Sequence, residues 1–299
     1  MFEMIEATLA KHDSWFVAME WIGLTFIGLA AVEALVDVAL KTGRRFSESL
    51  ANLMVAVGGE LAGYFVGAVV LFAAYYFIAP FALFEIEMTP LTWAAALLLG
   101  DFLYYWMHRT EHEVRFFWAY HVTHHSSPEF DLTTAFRLNW IELLFEWLFL
   151  IPMLIIGFDP VVTLIAVAAN ATYQTWIHTQ KIGKLGVLDK IINTPSAHRV
   201  HHGSNPEYLD KNYGGVLMIW DHMFGTYQEE KAPVKFGITK PVESINPFVL
   251  NFHEYVAILR DVWRAKTWRE AWKFAFAHPG WEPEAPKPKA AQQIARQEG

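Results

Sequence analysis

Nine of the thirteen histidines in this 299-residue chain fall between His108 and His202, and eight of them sit in three short clusters. The first is His108-Arg-Thr-Glu-His112, two imidazoles at i and i+4 and therefore on one face of a helix. The second is His121-Val-Thr-His124-His125 and the third His198-Arg-Val-His201-His202, each offering ligands at i, i+3 and i+4. His178, at the end of an apolar run, adds a ninth candidate. Eight or nine neutral imidazoles are too many for one metal ion but suit two ions of four to six ligands. The pattern therefore predicts a di-metal site held by His108, His112, His121, His124, His125, His178, His198, His201 and His202.

The rest of the composition narrows the chemistry. The chain has no cysteine, which excludes disulfides, zinc–thiolate sites, Fe–S clusters and thiol catalysis. The net charge of −8 argues against nucleic-acid binding. Carboxylate-bridged di-iron bundles use Glu-x-x-His pairs on facing helices, a pattern absent from these motifs, so an all-nitrogen site is expected. Iron suits a site beside a membrane, where substrates present unactivated C–H bonds that O2 chemistry can attack. Zinc in the purified protein would be compatible with exchange. No flavin or nucleotide fingerprint is present, so the electrons must come from an external donor.

A content of 54% hydrophobic and 16% aromatic residues points to a bilayer. Apolar runs cover residues 15–40, 51–80, 91–107, 138–157 and 160–177, against about 17 to 25 residues needed per crossing. The fourth carries Glu142, Glu146 and Pro152 and reads as partly re-entrant. The expected fold is all-α: an integral-membrane bundle of four to five apolar helices, with a cytoplasmic helical cap holding the di-metal site. Lys41, Arg44, Arg45, Arg109, Arg115, Arg137, Lys181, Lys184 and Lys190 all lie in histidine-bearing or adjoining loops, which places those loops in the cytoplasm. The host membrane would be the bacterial inner membrane or the endoplasmic reticulum. The amino terminus lacks a basic start and a small-residue cleavage site, so the first run is expected to persist.

Four regions follow: 1–80, amino-terminal transmembrane helices; 81–230, the catalytic unit; 231–280, cytoplasmic or interfacial helices; and 281–299, a disordered tail. Residues 248–276 read as one helix that lies in the membrane interface or packs on the protein's own cap. His12, His222, His253 and His278 read as structural or surface residues. Metal-bound imidazoles usually pass their second N–H to a carboxylate or carbonyl. Asp101, Tyr104 and Tyr105 share a helical face with His108, and Asn170, Gln174 and His178 share another. Asp101, Asn170 and Gln174 are therefore candidates for catalytic support, and one amide could hold a metal or its water. Glu142 and Glu146 could serve similarly, with pairing to Arg137 the more economical reading.

With HRTEH, HVTHH and HRVHH in this order, and the stretches TPSAHRVHHG and KNYGG…WDHMFGTY, the sequence resembles the fatty acid hydroxylase/sterol desaturase superfamily over residues 90–230. The resemblance implies a di-iron centre held by the nine histidines, and hydroxylation or desaturation of a lipid (fatty acyl, sterol or ether lipid) using O2. Some members place a further histidine where this chain has Gln174. The terminal HPGWEP is similar to an alkylglycerol-oxidising, pterin-dependent branch, so the donor is expected to be a redox protein or a reduced pterin. A zinc-dependent membrane hydrolase is the alternative; no HExxH occurs, and Glu111 is the only carboxylate inside a motif. A haem electron carrier would need only paired axial histidines.

Overall fold

The computed structural model describes residues 10–283. Among these no strand forms, and two isolated bridges, Ile192 with Leu217 and Gly203 with Phe236, are the only β pairing. Two helices are long and apolar enough to cross a membrane. Helix α1 spans Asp13–Leu40; α2 spans Phe46–Ala73 and continues through irregular turns to Phe81. Their outward faces are apolar, with Trp21, Leu35, Leu61, Tyr64 and Phe65 all exposed. Two acids in the second half of α1 face inward: Glu33 accepts from the Leu132 amide and Thr179, and Asp37 pairs with Arg44 and Lys181.

The remaining apolar runs are also helical, though one of them is broken. Helix α3, Pro90–Glu113, starts at a Thr89–Thr92 capping box with Pro90 in its first turn, and runs without a break into the first histidine cluster. Helix α4, Arg115–His125, carries the second cluster. The run 138–157 does not form one span. It breaks into α5, Leu143–Glu146, a 3-10 turn, and α6, Ile151–Ile156, because Pro152 cannot donate to the preceding turn. Helix α7, Pro160–Thr175, has 16 residues, too few to cross a hydrocarbon core of about 30 Å upright. Among the described residues, α1 and α2 are thus the two candidates that are both long and apolar enough to span.

Helices α3 and α7 pack closely, with Ala96 of α3 in one buried cluster with Met153, Phe158, Val162 and Ala166. Gly157, at φ 122, closes the turn between α6 and α7 against the Phe84 backbone, where a Cβ would lie 1.9 Å from the carbonyl oxygen. Gly157→Ala is therefore expected to destabilise the protein by about 3 kcal/mol. Gly43→Ala, also at positive φ but in open space, should cost only about 1 kcal/mol. Thermal melts of the two variants in one detergent test the difference; equal shifts would refute the packing account.

Short helices α8, Pro195–His201, and α9, Ile219–Phe224, complete the layer that carries the third cluster. Residues 248–276 form two helices: α10, Pro247–Arg264, and α11, Trp268–Phe276, parted where Thr267 caps α11. The inner face of α10 packs on the protein itself. Leu250 meets Ala51 and Val55, Arg115 bridges Glu254 and Asp261, and Asn251 takes the Trp140 amide.

Candidate metal centre

All nine predicted histidines are buried and converge into two adjacent groups. His108, His112, His121, His125 and His201 form one; His124, His178, His198 and His202 form the other. Within each group the candidate ligand atoms all lie within 4.8 Å of one another. Helices α3, α4 and α8 supply seven of the nine, and His178, just past the end of α7, and His202, at the end of α8, supply the rest; α4 serves both groups.

The second ring nitrogens decide what these imidazoles can do. His108 Nδ1 donates to the Tyr213 carbonyl at 2.9 Å, His201 Nδ1 to the Lys211 carbonyl at 3.0 Å, and His178 Nδ1 to the Gln174 carbonyl at 2.8 Å. His121 Nδ1 faces the Glu111 carboxylate at 3.1 Å. These bonds put the proton on Nδ1 and leave a lone pair on Nε2. His108 Nε2 and His121 Nε2 then face each other lone pair to lone pair at 3.0 Å, which is no hydrogen bond. Two nitrogens each about 2.1 Å from one ion and at right angles lie about 3.0 Å apart. His112 Nε2, His201 Nε2 and His124 Nδ1 are buried without any partner. A cation between the rings satisfies the converging Nε2 atoms, and His124, whose Nε2 faces His178 Nε2 at 3.1 Å, would offer that nitrogen rather than Nδ1, so the donor set fits the two-metal expectation.

Burial holds the imidazoles neutral: it pushes His108 and His178 down to about 4, and the other seven well below the ordinary histidine value. An unfolded chain takes up protons near 6.5 where the folded one does not, so stability falls as pH drops below 6.5. For His108 and His178 the difference is on the order of 3 kcal/mol each. Chelator-stripped protein is expected to lose its thermal midpoint steeply between pH 6.5 and 4.5; a flat profile would contradict the buried neutral state.

The carbonyls are aimed by local backbone geometry. Asp210 and Asn212 both sit at φ 58, a left-handed conformation these residue types tolerate, and so turn the Lys211 and Tyr213 carbonyls inward. Asp221 fixes the far side of this turn by accepting from the Tyr213 and Gly214 amides, each at 2.8 Å. Arg137, 1% exposed, anchors the end of α4 through the Thr123 carbonyl and Ser126, and pairs with Glu48 and Asn52. The expected pairing of Arg137 with Glu142 or Glu146 does not occur; Glu142 instead accepts from the Asn139 amide.

Asp101, Asn170 and Gln174 are buried and form a chain, but Asp101 touches no histidine. Its carboxylate accepts from Asn170 Nδ2 at 2.7 Å, the Val216 and Leu217 amides at 2.8 and 3.2 Å, and Trp220 Nε1 at 2.8 Å. Asn170 accepts in turn from Gln174, whose side-chain oxygen takes the Tyr104 hydroxyl. The carboxylate within hydrogen-bond distance of one of the nine rings is Glu111, which also accepts from Tyr120 at 2.9 Å, while Asp210 lies farther off, 3.8 Å from His112 Nδ1. The place of Glu111 inside the first motif was the available signal. The carbonyl acceptors leave no signature in a sequence.

A cavity of about 930 Å³ opens onto His112, His125, His201 and His202. Its outer wall comes from α10, α11 and residues 278–283. His278, half-exposed, hydrogen-bonds Asp210 at 3.2 Å across its mouth.

Buried histidine groups at the convergence of three helices define an all-helical metal-binding protein, and comparison with known sequences supplies the family. The fatty acid hydroxylase family model matches residues 93–226. Alkylglycerol monooxygenase of Homo sapiens is 37% identical over 98% of this chain and 68% of that protein. Its Danio rerio counterpart is 32% identical over 96% of this chain and 66% of that protein. Ornithine lipid hydroxylase of Rhizobium tropici is 27% identical over 74% and 72% of the two chains. No solved structure matches. The chain belongs to the fatty acid hydroxylase family and is an oxidoreductase.

Proposed function

We propose that this chain is a membrane-inserted di-iron monooxygenase that hydroxylates a polar lipid with O2, drawing electrons from a redox protein or a reduced pterin. The observation that carries the reading is the pair of buried histidine groups whose Nε2 atoms face one another at about 3 Å, with His112 Nε2 and His201 Nε2 having no hydrogen-bond partner at all. Two irons held there would supply the reduction of O2 and attack on an unactivated C–H bond. The chain's own contribution is orientation and exclusion. Glu111 and the Tyr213, Lys211 and Gln174 carbonyls hold four of the rings, those of His121, His108, His201 and His178, in one tautomer, and burial keeps most of each ring from solvent. The large cavity gives a second molecule access to the five-histidine group through His112, His125 and His201.

Relatives named for alkylglycerol and for ornithine lipid make polar lipids the first substrates to test. Insertion by α1 and α2, with the histidines on the cytoplasmic side marked by Lys41, Arg44 and Arg45, is part of the same proposal. A zinc hydrolase is less well supported, because Glu111, the carboxylate it would need as a base, is engaged by His121 and Tyr120. Iron-loaded protein incubated with a glyceryl ether lipid, reduced pterin and ¹⁸O2 should yield product carrying the isotope. Oxygen consumption with an unlabelled, unsaturated product would select desaturation, and turnover under argon would refute the oxygenase reading.

A further inference from the structure

The outward face of α10 and α11 is apolar where a protein surface would ordinarily be polar. Trp263 is 90% exposed, Trp268 75%, Leu259 68% and Trp272 58%. Their spacing makes one stripe per helix: Val256, Leu259 and Trp263 on α10, then Trp268, Trp272 and Phe276 on α11. Arg260, Arg264, Lys266, Arg269 and Lys273 flank these stripes in a chain whose net charge is −8. The acids nearby are partly spent inward, since Glu254 and Asp261 both pair with Arg115. The surface therefore combines tryptophan with cationic charge, the composition of a helix seated among lipid headgroups.

Its level in the fold agrees. Leu250 at the start of α10 packs against Ala51 and Val55, within the first turns of α2, and Trp140 binds the Val55 carbonyl while its ring meets Phe248. The face thus begins beside the end of an apolar helix, where a crossing segment meets water.

We propose that the outer face of α10 and α11 docks on the anionic headgroup surface of the same bilayer, resting on the reading that α1 and α2 cross it. His253, Glu254, Ala257, Asp261, Lys266 and Phe274 of these helices also wall the large cavity. Docking then holds the cavity mouth against the lipid layer, so an amphiphile reaches the metal centre without passing through bulk water.

The absence of native cysteine permits a clean test. Single cysteines at Trp263, Trp268 and Trp272, at Leu35 on α1 and at exposed Glu207 are labelled with bimane. The full chain is reconstituted in phosphatidylcholine vesicles containing nitroxide lipids, with and without phosphatidylglycerol. Quenching at 263, 268 and 272 should exceed that at 207 several-fold and rise with phosphatidylglycerol. Replacing Arg260, Arg264, Arg269 and Lys273 with glutamine should abolish that rise. Quenching at 35 with none at the three tryptophan positions would overturn the docking surface, leaving a protein partner as the occupant. No quenching at 35 would instead overturn the transmembrane reading, and the tryptophan positions would then report peripheral docking or its failure separately.

Discussion

Metal analysis of His202→Ala is expected to return about one ion per chain where the intact protein returns about two, because three imidazoles remain in a group that began with four. His121→Ala leaves four in the other group, so its ion should survive purification and be lost only to added chelator. Both variants should fall at least about a thousand-fold in activity, equivalent to about 4 kcal/mol in the barrier, since the proposed chemistry needs both ions together. Glu111→Gln is a graded companion. It keeps the ring of His121 in place but weakens the charge behind it, and metal affinity should drop roughly 10- to 100-fold. Elemental analysis after graded chelation reads all three. Equal retention in the two histidine variants would contradict the five-and-four division, and full metal with full activity in either would remove that histidine from the site.

Asp101→Ala should be the most destabilising change outside the histidines. It strands four donors, from Asn170, Val216, Leu217 and Trp220, in an interior where each unpaired group costs about 1–3 kcal/mol. A loss on the order of 4 kcal/mol or more is expected, read as a fall in thermal midpoint. The same carboxylate starts the chain through Asn170 and Gln174 to the α7 turn that orients His178. Metal in the four-histidine group should therefore loosen along with the fold. Asp101, Asn170 and Gln174, candidates for catalytic support in the sequence, are in this account positioning residues. Lost activity with unchanged melting and metal content would return Asp101 to the chemistry itself.

Much of the site was legible because imidazoles at i, i+3 and i+4 share a helix face whatever the tertiary fold, so HRTEH, HVTHH and HRVHH announce ligand stripes by spacing alone. His178 was legible for a weaker reason, as the polar end of an apolar run, and the structure places it in the four-histidine group. The division into five and four was not legible. His124 and His125 are neighbours in sequence yet belong to different groups, because about 100° of helical rotation separates them. The pairing of Glu111 with His121 joins two helices and depended on the angle between α3 and α4.

The apolar runs show the same division. Hydrophobicity identified α1 and α2 as long apolar helices, each long enough to cross a bilayer. It overstated 138–157, which Pro152 breaks, while 160–177 forms a helix over Pro160–Thr175. By itself the sequence determined which atoms could bind metal and that the chain is helical and strongly apolar, because ligand type and local periodicity are properties of neighbouring residues. Only the tertiary structure decided which imidazole joins which group, which carbonyls fix the tautomers of His108 and His201 and which face of α10 and α11 remains uncovered, because most of these depend on contacts between segments about one hundred to two hundred residues apart.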